Sequence, residues 1–224
     1  MTITRQKLIE AEEKAWQLFK AIEANGLIAP GKTEKQLNAE VYKLAKKLFG
    51  IKKFWHKRII RAGKNTLLPY NENPPDLVLR GDEILFFDFG PLFEKWEADI
   101  GKTYVIGNDP LKKKLSVDIE SAWQEAQEFY SQQTKLTGAE FFEFILGLAK
   151  KYEWEFGGKM AGHLIGKFPH ETLPPGKFEN YIHPKNKKDM FLPGSDGEKR
   201  EWILEIHFVN KEKEMGGFFE QLLR

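Results

Sequence analysis

Cysteine is absent from the 224 residues. That excludes disulfides, thiolate metal sites and a cysteine nucleophile, so any metal must be held by oxygen and imidazole. An excess of one charge is missing too: 35 Lys and Arg stand against 33 Asp and Glu, for a net charge of +2. The short basic runs, Lys112-Lys-Lys114 and Lys185-Asn-Lys-Lys188, read as solvated surface, and no nucleic-acid partner is implied. Nor is there a long apolar run. No stretch reaches the length a bilayer requires, and the N-terminus from Met1 to Glu10 has no apolar segment behind its basic residues. The expectation is a cytoplasmic chain with no membrane partner.

What is present is ample material for a core. Hydrophobic residues make up 41% of the chain, with 18 Phe and 6 Trp, and the length fits one large domain or two small ones.

Two halves share an order of elements. A helical stripe from Thr4 to Glu23 (Leu8, Ile9, Ala15, Trp16, Leu18, Phe19, Ile22) stops near Asn25-Gly26. Thr33 then caps a second helix with Leu37, Val41, Leu44, Ala45 and Leu48 on one face. Strands are expected from about Phe54 to Ile106. After Asp109-Pro110 the order recurs: a long helix from about Leu111 to Gln133, a helix initiated at Thr137, then strands to the end. Thr33, Ala45, Lys46 and Lys47 recur at Thr137, Ala149, Lys150 and Lys151 with one constant offset. Read as a duplication, this pattern gives pseudo-halves of about 1–110 and 111–224, with a site at the seam between them.

The chemistry concentrates in five residues: Asp88, Asp99, His163, Glu205 and Glu220. Ile84 to Phe87 is apolar and β-favouring, Gly90-Pro91 breaks it, and Thr103 to Ile106 is β-rich again, which reads as a hairpin with an extended connection. Asp88 closes its first strand and Asp99 opens its second. A buried carboxylate costs several kcal/mol unless a positive group compensates it, so two acids converging at strand ends invite a cation. The alternative is that both are turn residues beside Gly and Pro. In the second half, Gly162-His163-Leu-Ile-Gly166 and His170 place two imidazoles among small residues that allow close backbone approach. Glu205 lies inside the apolar run from Trp202 to Val209. It is either a site residue or a sheet-face acid on an edge strand. Glu220, near the end of the chain, is a weaker signal.

These residues resemble the pita-bread metallopeptidases, the family of methionine aminopeptidase, aminopeptidase P and prolidase. Asp88-Phe-Gly-Pro91 with Ala98-Asp99-Ile-Gly-Lys-Thr103 is most similar to the aminopeptidase P and prolidase branch, and Gly162-His163 to Gly166 with His170 is similar to the family's histidine motif. The resemblance implies an α+β pita-bread fold over residues 1–224 as a single catalytic domain, its two helix-helix-strands halves around a curved, mainly antiparallel sheet, without the extra N-terminal domain of that branch. It also implies two divalent ions (Mn, Co, Fe or Zn, with Mn favoured) about 3.5–4 Å apart. Asp88 would chelate one ion, Asp99 and Glu220 would bridge both, and His163 with Glu205 would complete the other. A hydroxide held between the metals would attack the peptide bond, with Glu205 moving protons and His170 hydrogen-bonding the carbonyl or oxyanion.

The implied function is an exopeptidase removing N-terminal residues from short peptide substrates, of the Xaa-Pro type. The alternatives are a creatinase-like non-peptidase hydrolase and a catalytically inactive pita-bread binding protein. There are departures from the family pattern. Pro69 stands where the branch usually has a substrate-contacting His, and His56, on an adjacent predicted strand, either substitutes by pointing into the same cleft or simply packs beside Trp55. Lys102 replaces a usual Arg. Glu205 and Glu220 lie close together in sequence, so the last hairpin must be short. His207 shares the strand face of Glu205 and is left open between packing and substrate contact. The N-terminal helices leave room for a homodimer, though such a stripe is more often intramolecular core.

Overall fold

Each described α-helix begins where a side chain can satisfy its free N–H groups. In this computed structural model, which describes residues 2–68, 70–170, 176–194 and 196–224, α1 (Ile3–Ala24) is capped by Thr2 and α3 (Pro110–Ser131) by Asp109. Helices α2 (Glu34–Phe49) and α4 (Gly138–Lys151) each carry a reciprocal capping box, Thr33 with Gln36 and Thr137 with Glu140. The two threonines that match in sequence thus do the same work. Each also makes an isolated β-bridge, Thr33 to Val78 and Thr137 to Asp189.

The strands are β1 (Ile59–Ala62), β2 (Glu83–Phe89), β3 (Leu92–Phe93), β4 (Trp96–Glu97), β5 (Ile100–Ile106), β6 (Glu155–Phe156), β7 (Leu164–Ile165), β8 (Glu201–Asn210) and β9 (Met215–Leu222). Seven of them form one antiparallel sheet in the order β1-β2-β5-β9-β8-β6, with β7 also paired to β8. The expected hairpin is the β2–β5 pair, and its connection folds into a small hairpin of its own, β3–β4.

Alternation along the strands separates a helix face from a site face. Leu85, Phe87 and Phe89 of β2 pack on Leu18, Phe19, Ile22, Leu37 and Val41 of α1 and α2. Trp202, Leu204, Ile206 and Phe208 of β8 pack on Leu115, Ile119, Trp123, Phe141 and Ile145 of α3 and α4. Burial of each such side chain stabilises the fold by roughly 1.5–3 kcal/mol. The Trp123 indole N–H also donates to the Leu204 carbonyl at 2.8 Å, tying α3 to the sheet. The opposite face carries Asp88, Glu205 and Glu220.

Strands β5 and β9 meet at Gly101 and Glu220. Beyond that point a side chain spans the gap: the Thr103 hydroxyl donates to the Phe218 carbonyl at 2.9 Å and accepts from the Phe218 N–H at 2.7 Å. A Cβ on Gly101 would stand 2.5 Å from the Phe218 ring and 3.1 Å from Glu220 Cβ, so this crossing requires glycine.

One expectation needs correction, and one alternative falls away. The stretch from Phe54 to Ile106 is not all strand and connecting turns: residues 63–67 wind into a 3₁₀ helix (Gly63–Leu67), and His56 sits on a bend before β1, not on a strand. There the chain follows long-range bonds, the Trp55 N–H donating to the Gly90 carbonyl at 2.8 Å and its indole N–H to the Ala98 carbonyl at 3.0 Å, not a sheet ladder. Glu205 is not on an edge strand, because β8 is paired on both sides. The position of Pro69 lies outside the described residues. Among the described residues no helix is long and apolar enough to cross a membrane.

Candidate metal centre

One row across the sheet organises the site. Asp88 on β2 pairs with Gly101 on β5, Gly101 with Glu220 on β9, and Glu220 with Glu205 on β8. Three acids therefore project from the same face around a glycine that leaves space between them, and Asp99, two residues before Gly101, adds a fourth. The β8–β9 turn spans only residues 211–214, as the closeness of Glu205 and Glu220 required.

His163 comes from the second half. Its backbone is pinned by the Ile203 N–H donating to the His163 carbonyl at 2.8 Å and by the Glu205 N–H donating to the Ala161 carbonyl at 3.0 Å. Its Nδ1–H donates to the Leu164 carbonyl at 2.8 Å, which leaves Nε2 facing Asp99 Oδ2 at 3.1 Å and Glu220 Oε1 at 4.0 Å. His56 does enter the cleft: its Nε2 lies 3.0 Å from Asp99 Oδ1 and 3.5 Å from Asp88 Oδ1. Ligand atoms of His56, Asp88 and Asp99 lie within 4.8 Å of one another, and so do those of Asp99, His163 and Glu220.

Glu205 Oε1 and Glu220 Oε2 are buried with no hydrogen-bond partner among the described residues. Orphaned carboxylate oxygens are costly, and their convergence on two imidazoles suits hard divalent cations with mixed oxygen and nitrogen ligands. The protonation chemistry says the same. Burial pushes Asp88 up to about 7, with His56 opposing and Asp99 adding to the rise. Burial likewise lifts Glu205 to about 7, against the pull of His163. Glu220 is raised well above the carboxylate range by burial and by Asp99, Asp88 and Glu205 around it. Burial acts against Asp99 as well, yet His56 and His163 outweigh it and hold Asp99 below its usual value. Burial disfavours a charged His56, but Asp99 and Asp88 lift it to about 9; Asp99 does the same for His163. Without ions, protons and imidazolium groups hold the acids together.

His170 lies beside this cluster, its ring stacked 6.0 Å from that of His163. Its Nδ1 is 2.8 Å from Glu97 Oε2, and Glu97 also accepts from the backbone N–H groups of Gly166 at 3.1 Å and His170 at 3.2 Å. Trp55 contacts His56, His163 and His170 edge-on at 4.4, 5.4 and 5.2 Å, with its indole N–H donating to the Ala98 carbonyl at 3.0 Å. Gly90 makes room for this packing: a Cβ there would fall 2.2 Å from His56 Cδ2 and 2.4 Å from the Trp55 indole nitrogen.

Sequence reasoning passed over Glu97, Trp55 and Gly90, although an acid within Trp96-Glu-Ala-Asp99, two residues before Asp99, was the available signal. Two open points close. His207 is a buried strut whose Nε2–H donates to the Thr66 carbonyl at 2.7 Å, packed between Phe86 and Phe218, and burial lowers its pKa. Lys102 forks onto no site carboxylate; its ammonium pairs with Glu23 of α1 at 3.0 Å.

An open antiparallel sheet backed, among the described residues, by four α-helices, with acids and imidazoles gathered on its other face, defines the pita-bread class of α+β proteins. The sequence profile of metallopeptidase family M24 matches residues 6–195, and the chain belongs to that family. It is 29% identical over 224 residues to an Xaa-Pro dipeptidase of Pyrococcus horikoshii, covering 88% of this chain and 62% of that one. Among solved structures, an Xaa-Pro dipeptidase from Bacillus anthracis superposes with a TM-score of 0.77 at 20% identity, over 98% of this chain and 57% of the other. A methionine aminopeptidase from Rickettsia prowazekii gives 0.71 at 16% identity, over 96% of this chain and 90% of that one. The chain spans 52–62% of the length of the curated relatives it matches.

Proposed function

We propose that residues 1–224 form one catalytic domain, with pseudo-halves of about 1–110 and 111–224, that hydrolyses N-terminal residues from short peptides of the Xaa-Pro type with two divalent ions. The observation that carries this reading is the convergence of Asp88, Asp99, Glu205 and Glu220 with His163 on one sheet face, with two of their oxygens unpartnered among the described residues. The Xaa-Pro relatives support the substrate class. Asp88 would hold one ion, Asp99 and Glu220 would be shared, and His163 and Glu205 would complete the second, a carboxylate-rich set that suits Mn(II) among the first-row metals.

Ions bound there supply Lewis acidity toward a carbonyl and lower the pKa of water. The chain's own groups do the rest. Glu205, whose Oε1 has no hydrogen-bond partner among the described residues, is positioned to take a proton from water and deliver it to the leaving amine. His170 is oriented by Glu97 through Nδ1, which leaves its Nε2 for the substrate carbonyl or the oxyanion that develops from it. Trp55 supplies an apolar wall that keeps the three imidazoles in place.

The test is release of amino acids from Xaa-Pro dipeptides, Xaa-Pro-containing peptides and Met-initiated peptides by the purified protein with Mn(II) or Co(II). Proline-linked cleavage is expected. Release of neither class of product, in a protein shown to have bound metal, would refute the peptidase reading.

A further inference from the structure

The two imidazoles at the centre are mounted in the same way. His163 gives its Nδ1–H to the carbonyl of the next residue, Leu164, at 2.8 Å; His56 gives its own to the carbonyl of the next residue, Lys57, also at 2.8 Å. Each backbone bond orients the ring, and each leaves Nε2 facing a different oxygen of Asp99: Oδ2 at 3.1 Å for His163 and Oδ1 at 3.0 Å for His56, the atom that would bind an ion once its proton is displaced. A metal-ligating histidine typically shows this arrangement, its second ring nitrogen donating to a carbonyl or carboxylate. The acids follow the same division. Asp88 Oδ1 lies beside His56 at 3.5 Å, and Glu220 Oε1 beside His163 at 4.0 Å. Asp99 is the shared member of two separate clusters, each with one imidazole and one further carboxylate, and each tight enough for one ion.

The seat of His56 is built. Gly90 leaves the space its ring occupies, Trp55 packs edge-on at 4.4 Å, and Tyr70 closes the other side at 5.7 Å. The side chain is only 9% exposed, poorly placed for a group meant to meet substrate from solvent.

We propose that His56 is a metal ligand, completing with Asp88 and Asp99 Oδ1 the ion on the first-half side, so that the centre holds its two ions with four carboxylates and two imidazoles. This rests on the metal-dependent reading above. It replaces the role of substrate-contacting helper with that of an anchor, and it moves the centre's preference. A second nitrogen ligand favours Co(II) and Zn(II) relative to Mn(II), both through ligand type and through the general order of divalent affinities. The two ions also become more alike, each with one imidazole and one oxygen of Asp99 beside its further carboxylates.

The experiment counts imidazoles on the metal. Chelator-treated wild-type protein is loaded with Mn(II), and pulsed EPR measures its histidine nitrogen couplings; calorimetry with Co(II) gives stoichiometry and affinities for wild type, His56→Ala and His163→Ala. The expected result is two coupled imidazoles in wild type and one in each variant. His56→Ala should keep one tight Co(II) equivalent and bind the second at least about 10- to 100-fold more weakly, the loss that disturbing even a ligand's hydrogen-bond partner brings. One imidazole in wild type overturns the proposal without calling on any variant. So does a His56→Ala protein that binds both Co(II) equivalents as wild type does while its KM alone changes, the signature of a substrate contact. Wild type that binds no ion at all overturns this inference and the metallopeptidase reading together, whereas two ions with one imidazole overturns this inference alone.

Discussion

Stripped of divalent ions, the protein should lose stability as pH rises through the neutral range, and regain it when ions are restored. His56 and His163 each rise from 6.5 to about 9 in the fold. A group raised on folding contributes stability that is complete below its unfolded value and gone above its folded one, so both contributions vanish between about pH 6.5 and about pH 9. At about 1.4 kcal/mol per pH unit, one such imidazole accounts for on the order of 3 kcal/mol. Asp88 and Glu205, lifted to about 7, act in the same direction, with their proton-linked stability present in acid and lost by neutrality. Asp99 is held low and has the opposite sign, but its contribution disappears only in acid, outside this window. For a chain of this size each kcal/mol corresponds to roughly 2–4 °C in Tm, so losing one imidazole contribution lowers Tm by roughly 6–12 °C. Thermal melts of chelator-treated and metal-loaded protein across that range measure the difference. Ions take over from protons in holding the acids together, so the loaded protein should show a much flatter profile. A metal-free Tm that is level or climbs with pH, or that falls as steeply with ions present, refutes the reasoning.

Three substitutions probe the surroundings of the centre. Glu97→Gln removes the charged acceptor for His170 and two backbone N–H groups; stability should fall by about 1–3 kcal/mol and kcat on Xaa-Pro substrates more than KM, read from denaturant titration and steady-state kinetics. Gly90→Ala drives a methyl into His56 and Trp55, which should cost about 1–3 kcal/mol in melts and weaken Co(II) binding by calorimetry. His207→Ala deletes the bond to Thr66 and a buried ring; it should destabilise by about 1–3 kcal/mol in urea while metal stoichiometry stays unchanged.

Much of the arrangement was legible because it rests on local rules. Thr33 and Thr137 announce helix starts through their capping partners three residues on, and both boxes form. The apolar run of β2, broken at Gly90-Pro91, put Asp88 at a strand end, and the short span from Glu205 to Glu220 demanded the tight hairpin that pairs them directly. His56 was harder to place. Its apolar neighbours Phe54 and Trp55 suggest a strand, whereas tertiary contacts to Gly90 and Ala98 impose a bend. Glu97 was hidden for a related reason: its three partners lie about 70 residues away in a segment with almost no regular structure, and no periodicity reports such a contact. The edge-strand alternative for Glu205 could be judged only once β6 and β7 were seen to flank β8.

The direct pairing of Glu205 with Glu220 makes the centre sensitive to chain length as well as to residue identity. Adding or deleting a single residue between Met215 and Glu220 would rotate every later side chain of β9 to the other face, carrying Glu220 toward the helices and presenting Phe219 to the acids. Single-residue indels in this short span should therefore abolish metal retention as completely as replacing the glutamate itself, a constraint on the length of β9 that no single side chain records.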